Sequence, residues 1–131
     1  MNRPVSPSTI APPAAAYAHA VVTDSASRWL HTSGVVPTAV DGSTPDGVGD
    51  QAGVVWGNIA AILAEVGMEP VDIVSVTTYV VAGEPLGPVM AARDAFLDGH
   101  LAASTLVTVP ELAQPQWRME VAIVAARSGD R

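Results

Sequence analysis

The segment that most restricts the fold is VDIVSVTTYVV at positions 71–81, where β-branched residues predominate and predict a strand. Before it, residues 50–66 predict an amphipathic helix that Asp50 caps and Gly67 ends. The apolar residues of this helix recur at the spacing of one buried face: Ala52, Val55, Ile59, Ile62, Leu63 and Val66. A helix placed between strands is expected to cover one face of a mixed sheet, which favours folds that combine helices and strands.

The remaining segments complete an α+β order. Pro88 suits the first turn of a second helix. Two further strands are predicted at 104–109 and 117–126, and residues 19–24 and 28–34 predict a β-hairpin around the polar stretch DSAS. The predicted order is therefore β-β-α-β-α-β-β, with two helices on one face of a mixed sheet.

The N-terminus differs from the rest of the chain. Pro4, Pro7, Pro12 and Pro13 predict an extended arm over residues 1–15, followed by a single domain over residues 16–131. No apolar run precedes these prolines, so the sequence predicts neither a signal peptide nor a membrane span. We expect a cytoplasmic protein.

The composition limits which reactions and which binding partners are possible for this chain. The chain has no Cys, and all six of its cationic side chains are Arg, which excludes disulfides, thiolate chemistry and a Schiff-base lysine. A net charge of -7 opposes binding to a phosphate backbone, so nucleic acid is not an expected partner. Only 15% of the residues are charged while 49% are hydrophobic, which favours an oligomer in which identical subunits cover the free face of the sheet.

Two charged residues fall on otherwise apolar faces. Glu120 lies in the last predicted strand, where it is either a general acid/base in an apolar pocket or a carboxylate satisfied by Arg118 or by the backbone. Arg93 shares a helical stripe with Val89 and Phe96. An arginine at such a position pairs with Asp, lies in an interface or binds an anion.

Other polar residues give weaker indications of a functional site. His19 and His31 face each other across the predicted hairpin, but no third ligand has metal-site spacing, so we expect no metal and a structural or surface role for both. Ser33 and Ser104 lack the surroundings of a serine nucleophile.

Several short blocks occur together in one order: HTSG at 31–34, VDIVSVTTYV at 71–80, ASTLVTV at 103–109 and MEVAIVA at 119–125. With Tyr17 and the helix from Gln51 to Gly67, this set resembles the reactive intermediate deaminase (Rid) superfamily, also called the YjgF or endoribonuclease L-PSP family. The resemblance implies a chorismate-mutase-like fold. It also implies a homotrimer whose sheets close a central barrel and whose small-molecule clefts lie between subunits.

The resemblance further implies a reaction and a site. Deaminases of this family hydrolyse an enamine or imine to a keto acid and ammonia without a cofactor. Their glutamate, which orients or activates water, matches Glu120; their N-terminal tyrosine matches Tyr17, and the Ser-Gly of the cleft wall matches Ser33 and Gly34.

The substrate-binding arginine of these deaminases has no match. Where they have Ala-Arg followed by Ser or Thr, this chain has Ala103-Ser104-Thr105. Met90 and Leu106 also stand where polar residues are usual in the family. Without a charged fork, the cleft is expected to prefer a neutral or aromatic ligand, with Trp117 as a wall and with Ser104, Thr105 and Arg93 as further contacts. Arg93 or Arg118 replaces the missing arginine only if it reaches the cleft.

The sequence is therefore compatible with two alternative functions. The first is a cofactor-free hydrolase or related lyase in which Glu120 acts at a carbon–nitrogen double bond. The second is a non-catalytic, small-molecule-binding trimer.

Overall fold

A computed structural model describes residues 1–128, so the last three residues of the predicted domain lie outside it. The elements follow one another as six strands and two helices: β1 (Asn2–Val5), β2 (Ala20–Thr23), β3 (Arg28–His31), α1 (Val48–Glu65), β4 (Ile73–Val81), α2 (Gly87–Leu97), β5 (Ala103–Val109) and β6 (Met119–Arg127). The α+β fold with a mixed sheet is confirmed.

Four strands form the main sheet in the order β3-β6-β4-β5. β6 pairs antiparallel with both β3 and β4, whereas β5 pairs parallel with β4. A parallel pair needs a crossover connection, and α2 supplies it between β4 and β5. The predicted strand in this β-branched run is thus present as β4, which is hydrogen-bonded on both sides, to β6 and to β5.

Both helices pack on one face of this sheet, and they contact each other. Val55, Ile59 and Leu63 of α1 are fully or almost fully buried against Val76 and Ile123 of the sheet. The alternation of side chains along a strand leaves Tyr79 of β4 and Glu120 of β6 on the opposite face, which is called the open face below.

The predicted bounds of α1 need one correction. The helix begins two residues before Asp50, and its N-cap is Gly47, which has no side chain to cap it. Asp50 lies in the first turn, where its charge favours the helix dipole instead. Gly67 follows the last turn with a φ of +70°, a left-handed conformation that glycine adopts without steric cost.

The predicted β-hairpin of residues 19–34 is wrong. β2 pairs with β1 in a separate two-stranded sheet, whereas β3 pairs with β6 in the main sheet. The first residues of the predicted arm form β1, which the sequence did not predict, and the chain then turns at residues 8–9. Both errors concern strand pairing, since β2 and β3 each pair with a strand other than each other.

Within residues 1–128, neither helix combines the length and the apolar character that crossing a membrane requires.

Candidate functional site

Glu120 lies on the open face, where it is the cross-strand partner of Tyr79. The start of its strand is held by the buried side chain of Gln51 on α1. The backbone N–H of Arg118 donates to Gln51 Oε1 at 2.8 Å, and Gln51 Nε2 donates to the carbonyl of Gln116 at 2.8 Å. The residues just before Glu120 are thereby fixed to the helical layer.

Gly34 lies directly against the carboxylate of Glu120. Val35 and Val121 exchange two backbone hydrogen bonds of 2.7 and 3.2 Å, which bring the two segments side by side. A Cβ atom built on Gly34 would lie 1.7 Å from Glu120 Oε2. Any side chain at position 34 would therefore force the end of the Glu120 side chain to move.

A cavity of about 320 Å³ opens at this point, and it is called the Glu120 cavity. Its lining consists of Gly34, Tyr79, Leu112, Glu120 and Ala122. Arg118, which the sequence offered as a partner for Glu120, instead donates from Nε to Glu84 at 2.9 Å. Among residues 1–128 the Glu120 side chain has no hydrogen bond or ion pair, so its carboxylate is available to a ligand or to water.

A second cavity of about 320 Å³ lies between α2, β5 and the N-terminal arm, and it is called the Arg93 cavity. Its lining includes Tyr17, Met90, Arg93, Ser104 and Leu106. Tyr17 reaches this place because Ala18 forms a parallel bridge to Ala103, with its N–H donating to the carbonyl of Ala102 at 3.0 Å. The Tyr17 hydroxyl also accepts a hydrogen bond of 3.2 Å from the N–H of Ala14.

Arg93 is buried, with 6% of its side chain exposed. Its Nε donates to Asp94 Oδ1 at 3.0 Å, and its Nη1 donates to Ser104 Oγ at 3.2 Å. The expected pairing with an aspartate is thus observed. Nη2 also lies 3.0 Å from Asp94 Oδ1, but its N–H groups are not aligned with that oxygen, and the atom has no hydrogen-bond acceptor within residues 1–128.

The two cavities lie on opposite faces of the sheet. Ser104 and Leu106 are the partners of Val76 and Thr78, on the face that the helices cover, whereas Glu120 is on the open face. One chain therefore brings together Tyr17, Arg93 and Ser104 in one group and Gly34 with Glu120 in another, without joining the groups.

Three further residues predicted for the site lie outside both cavities. Ser33 is exposed and adjoins Gly34 in the chain. Thr105 is exposed on the open face as the partner of Thr77. Trp117 is half-buried in the connection before β6, its backbone N–H donates to the carbonyl of Gln114 at 3.1 Å, and it lines neither cavity.

The two histidines contact aromatic rings. His19 lies edge-on to Tyr17, with ring centroids 6.4 Å apart, and His31 stacks on Trp29 at 6.3 Å. In the part of the chain that the structure describes, no three His, Cys, Asp or Glu side chains are grouped so as to hold a metal ion.

Sequence reasoning missed Tyr79 and Leu112 as residues of the Glu120 cavity. The signal for Tyr79 was present, because alternation along β4 separates Tyr79 from the buried residues Val76 and Val80. No local pattern marks Leu112, which lies in the connection between β5 and β6.

A family model described as Endoribonuclease L-PSP matches residues 8–127. The chain belongs to the endoribonuclease L-PSP family. None of the curated protein sequences matches this member.

Solved structures show the same fold. YyfB from Yersinia pestis, a protein of unknown function of the Rid family, is 30% identical with a TM-score of 0.87, covering 96% of this chain and 98% of its own. E. coli TdcF with bound serine is 26% identical with a TM-score of 0.71, covering 91% of each chain. The E. coli YjgF gene product is 28% identical with a TM-score of 0.70, and the match covers 85% of this chain and 87% of the YjgF chain.

Proposed function

We propose that this chain is a cofactor-free hydrolase of a small imine or enamine, acting in clefts between the subunits of a homotrimer. The observation that carries the proposal is the Glu120 carboxylate, which lies in an open cavity with no partner among residues 1–128. An unpaired carboxylate beside a ligand-sized space is suited to general acid/base work.

The separation of the two cavities supports an assembly of several subunits. A single chain cannot present Glu120 and Arg93 to one ligand, because the sheet lies between them. If neighbouring subunits pack on the open face, the Glu120 cavity of one subunit can meet the Arg93 cavity of the next. Apolar side chains on the open face support such packing, since Trp29 is 50% exposed and Val107 is 40% exposed.

In the proposed reaction, Glu120 accepts a proton from water while the water oxygen bonds to the carbon of the C=N group, and the nitrogen takes up a proton from solvent to give a carbinolamine. The protonated Glu120 then gives its proton to the amine, the C–N bond breaks to release ammonia, and the carbinolamine hydroxyl loses its proton to solvent as the carbonyl compound forms. An enamine first tautomerises to the imine. Neither step requires a cofactor.

Gly34 and Tyr17 take supporting roles in this proposal. Gly34 leaves the space that the carboxylate occupies. Tyr17 and Ser104 form the wall of the facing cavity. The serine bound to E. coli TdcF supports a small-molecule ligand for the family site.

A second function, a trimer that binds a small molecule without turnover, is favoured by the lining of the Arg93 cavity. Met90 and Leu106 make that wall largely apolar. Such a wall can hold a ligand and supplies no proton-transfer group.

The deciding experiment measures ammonia release when the protein is added to imines generated in situ by an amino-acid oxidase. Small, acidic and aromatic side chains are compared. We expect Glu120→Gln to lower the rate by about 100-fold or more, because a general base typically contributes 10²–10⁴-fold. Glu65→Gln, at an exposed position late in α1, is the matched control and should keep full activity.

Two outcomes count against the hydrolase. Unchanged activity of Glu120→Gln would remove the catalytic role, and no acceleration of any imine by a trimeric protein would favour the binding function. Sedimentation at micromolar concentration tests the assembly, and a stable monomer would refute both functions because neither would retain a complete cleft.

A further inference from the structure

The Glu120 cavity contains a negative charge and no positive charge to balance it. Its lining consists of the Glu120 carboxylate and four uncharged residues: Gly34, Tyr79, Leu112 and Ala122. Among residues 1–128 this carboxylate has no hydrogen bond or ion pair. A partly buried carboxylate beside apolar surface attracts a cation, because its charge is screened less there than in open water.

The arginines nearest to this cavity do not supply that cation. Arg118, two residues before Glu120, donates from Nε to Glu84 at 2.9 Å. In the proposed assembly, the Arg93 cavity of a neighbouring subunit lies opposite Glu120. The Arg93 side chain is only 6% exposed, and its Nε and Nη2 each lie 3.0 Å from Asp94 Oδ1. Both arginines therefore already have carboxylate partners, and the charge of Glu120 is left for a ligand.

An aromatic ring lies beside the carboxylate. Tyr79 is the direct cross-strand partner of Glu120, and the Cβ atoms of such partners are about 4.5–5.5 Å apart. The Tyr79 side chain is half-buried and lines the same cavity. The face of an aromatic ring attracts a cation that lies within about 6 Å of the ring centre. The carboxylate and the ring therefore favour the same ligand group, a positive charge.

The other walls describe the body of the ligand. Leu112 and Ala122 provide apolar surface, and a cavity of about 320 Å³ has room for a ring that carries a small polar group. A planar cation with N–H donors, such as an iminium or an amidinium, matches the plane of a carboxylate as a guanidinium does. We infer that the Glu120 cavity binds a planar organic cation of this kind, carried on an apolar or aromatic body.

The role of this cavity as a substrate site rests on the proposed function, whereas its preference for a cation does not. For the proposed hydrolysis, the preference means that the C=N nitrogen takes up its solvent proton before water attacks, so the substrate binds as an iminium. A carboxylate has two oxygens and about four lone-pair positions. Glu120 can therefore accept an N–H from the iminium and also accept the proton of the attacking water.

The test is isothermal titration calorimetry of the intact protein with three stable probes at neutral pH. Benzamidine carries a planar cation on a ring. Benzamide replaces the amidinium by a neutral group of the same shape, and acetamidine keeps the cation without the ring. We expect benzamidine to bind at least about tenfold more tightly than each of the others, because each of them lacks one of the two proposed contacts.

Variants then assign the effect to individual residues. Glu120→Gln should weaken benzamidine binding by roughly 10- to 100-fold and leave benzamide binding unchanged, because a hydrogen bond between charged groups is lost. Tyr79→Leu should weaken benzamidine binding by about two- to fivefold, whereas Tyr79→Phe keeps the ring and should bind as the wild type does. Glu65→Gln, at an exposed position in α1, makes the same change in net charge and is the control.

Ionic strength gives an independent readout, because added salt should weaken the binding of benzamidine and not that of benzamide. Equal binding of benzamidine and benzamide to the wild type would overturn the inference, as would equal binding of benzamidine to the wild type and to Glu120→Gln. Failure of the proposed hydrolysis is recognised separately, because ammonia release would then be absent while Glu120-dependent binding of benzamidine persists.

Discussion

Gly34→Ala places one methyl group against the proposed catalytic carboxylate. The added Cβ would lie 1.7 Å from Glu120 Oε2 and 2.8 Å from its Cδ, whereas ordinary contacts begin near 3.4 Å. The carboxylate therefore has to move by more than about 1 Å. Because it is the free end of a flexible side chain, the backbone need not move.

The expected effects on stability and on activity differ. Gly34 does not have a left-handed φ, so alanine is compatible with its backbone. The substitution should stabilise the folded protein by about 0.4–1 kcal/mol, because alanine lowers the conformational entropy of the unfolded chain. A strained Glu120 rotamer costs about 0.5–1.5 kcal/mol. The net change in the free energy of unfolding should be within ~1 kcal/mol. A displacement of 1 Å in a reacting group can lower the rate by about 100-fold.

The assay pairs urea unfolding with ammonia release from the imine that the wild type hydrolyses fastest. Gly53→Ala is the control, because Gly53 lies in α1 with open space around it and should gain up to about 1 kcal/mol without loss of activity. In the double variant Gly34→Ala with Glu120→Gln, the rate should be no lower than in Glu120→Gln alone, since both changes remove the same contribution.

Full activity of Gly34→Ala would refute the reasoning, because it would mean that the position of the carboxylate has no bearing on the rate. If the rate losses of the two single variants multiplied in the double variant, Gly34 would affect the rate independently of Glu120. A loss of more than about 3 kcal/mol in stability would show that the close contact involves the backbone rather than the end of a side chain.

Two further predictions concern stability and local electrostatics. Ile59→Ala removes a fully buried core side chain and should lower the free energy of unfolding by about 2–5 kcal/mol in urea titrations at fixed protein concentration; a loss below about 1 kcal/mol would contradict the packing described. The hydrogen bonds from Ser43 hold the pKa of Asp41 below its ordinary value, so their contribution is present above the unfolded pKa and is lost as the pH falls through the folded one. Ser43→Ala should therefore raise the pKa of Asp41 toward its ordinary value in an NMR titration of the carboxyl carbon. An unchanged pKa would show that the Ser43 hydroxyl does not lower it.

Much of the fold was predictable because its signals are local. The helical spacing from Ala52 to Leu63 is a property of consecutive residues, and the structure buries that stripe. The run of β4 and the turn at Gly67 are equally local. Pro88 also lies in the first turn of α2, as its fixed backbone angle predicts.

Strand pairing was less predictable, because partners are chosen over the whole chain. Arg28–His31 pairs with β6, nearly 100 residues later, instead of with the neighbouring β2. The short polar stretch between β2 and β3 is compatible with a hairpin, but the two strands pair in separate sheets. The N-terminal strand has no alternating pattern of its own, and β2 supplies its pairing.

The candidate site likewise has features that are local in the sequence and features that depend on tertiary packing. Sequence alone determined which residue types stand out, since Glu120 and Arg93 each interrupt an apolar pattern that a single strand or helix explains. Only the tertiary structure decided that Arg93 donates to Ser104 across α2 and β5, that Gly34 lies against Glu120, and that the sheet separates these two pairs. The physical reason is that a residue's face follows from the period of its own element, whereas its neighbours follow from how distant elements pack.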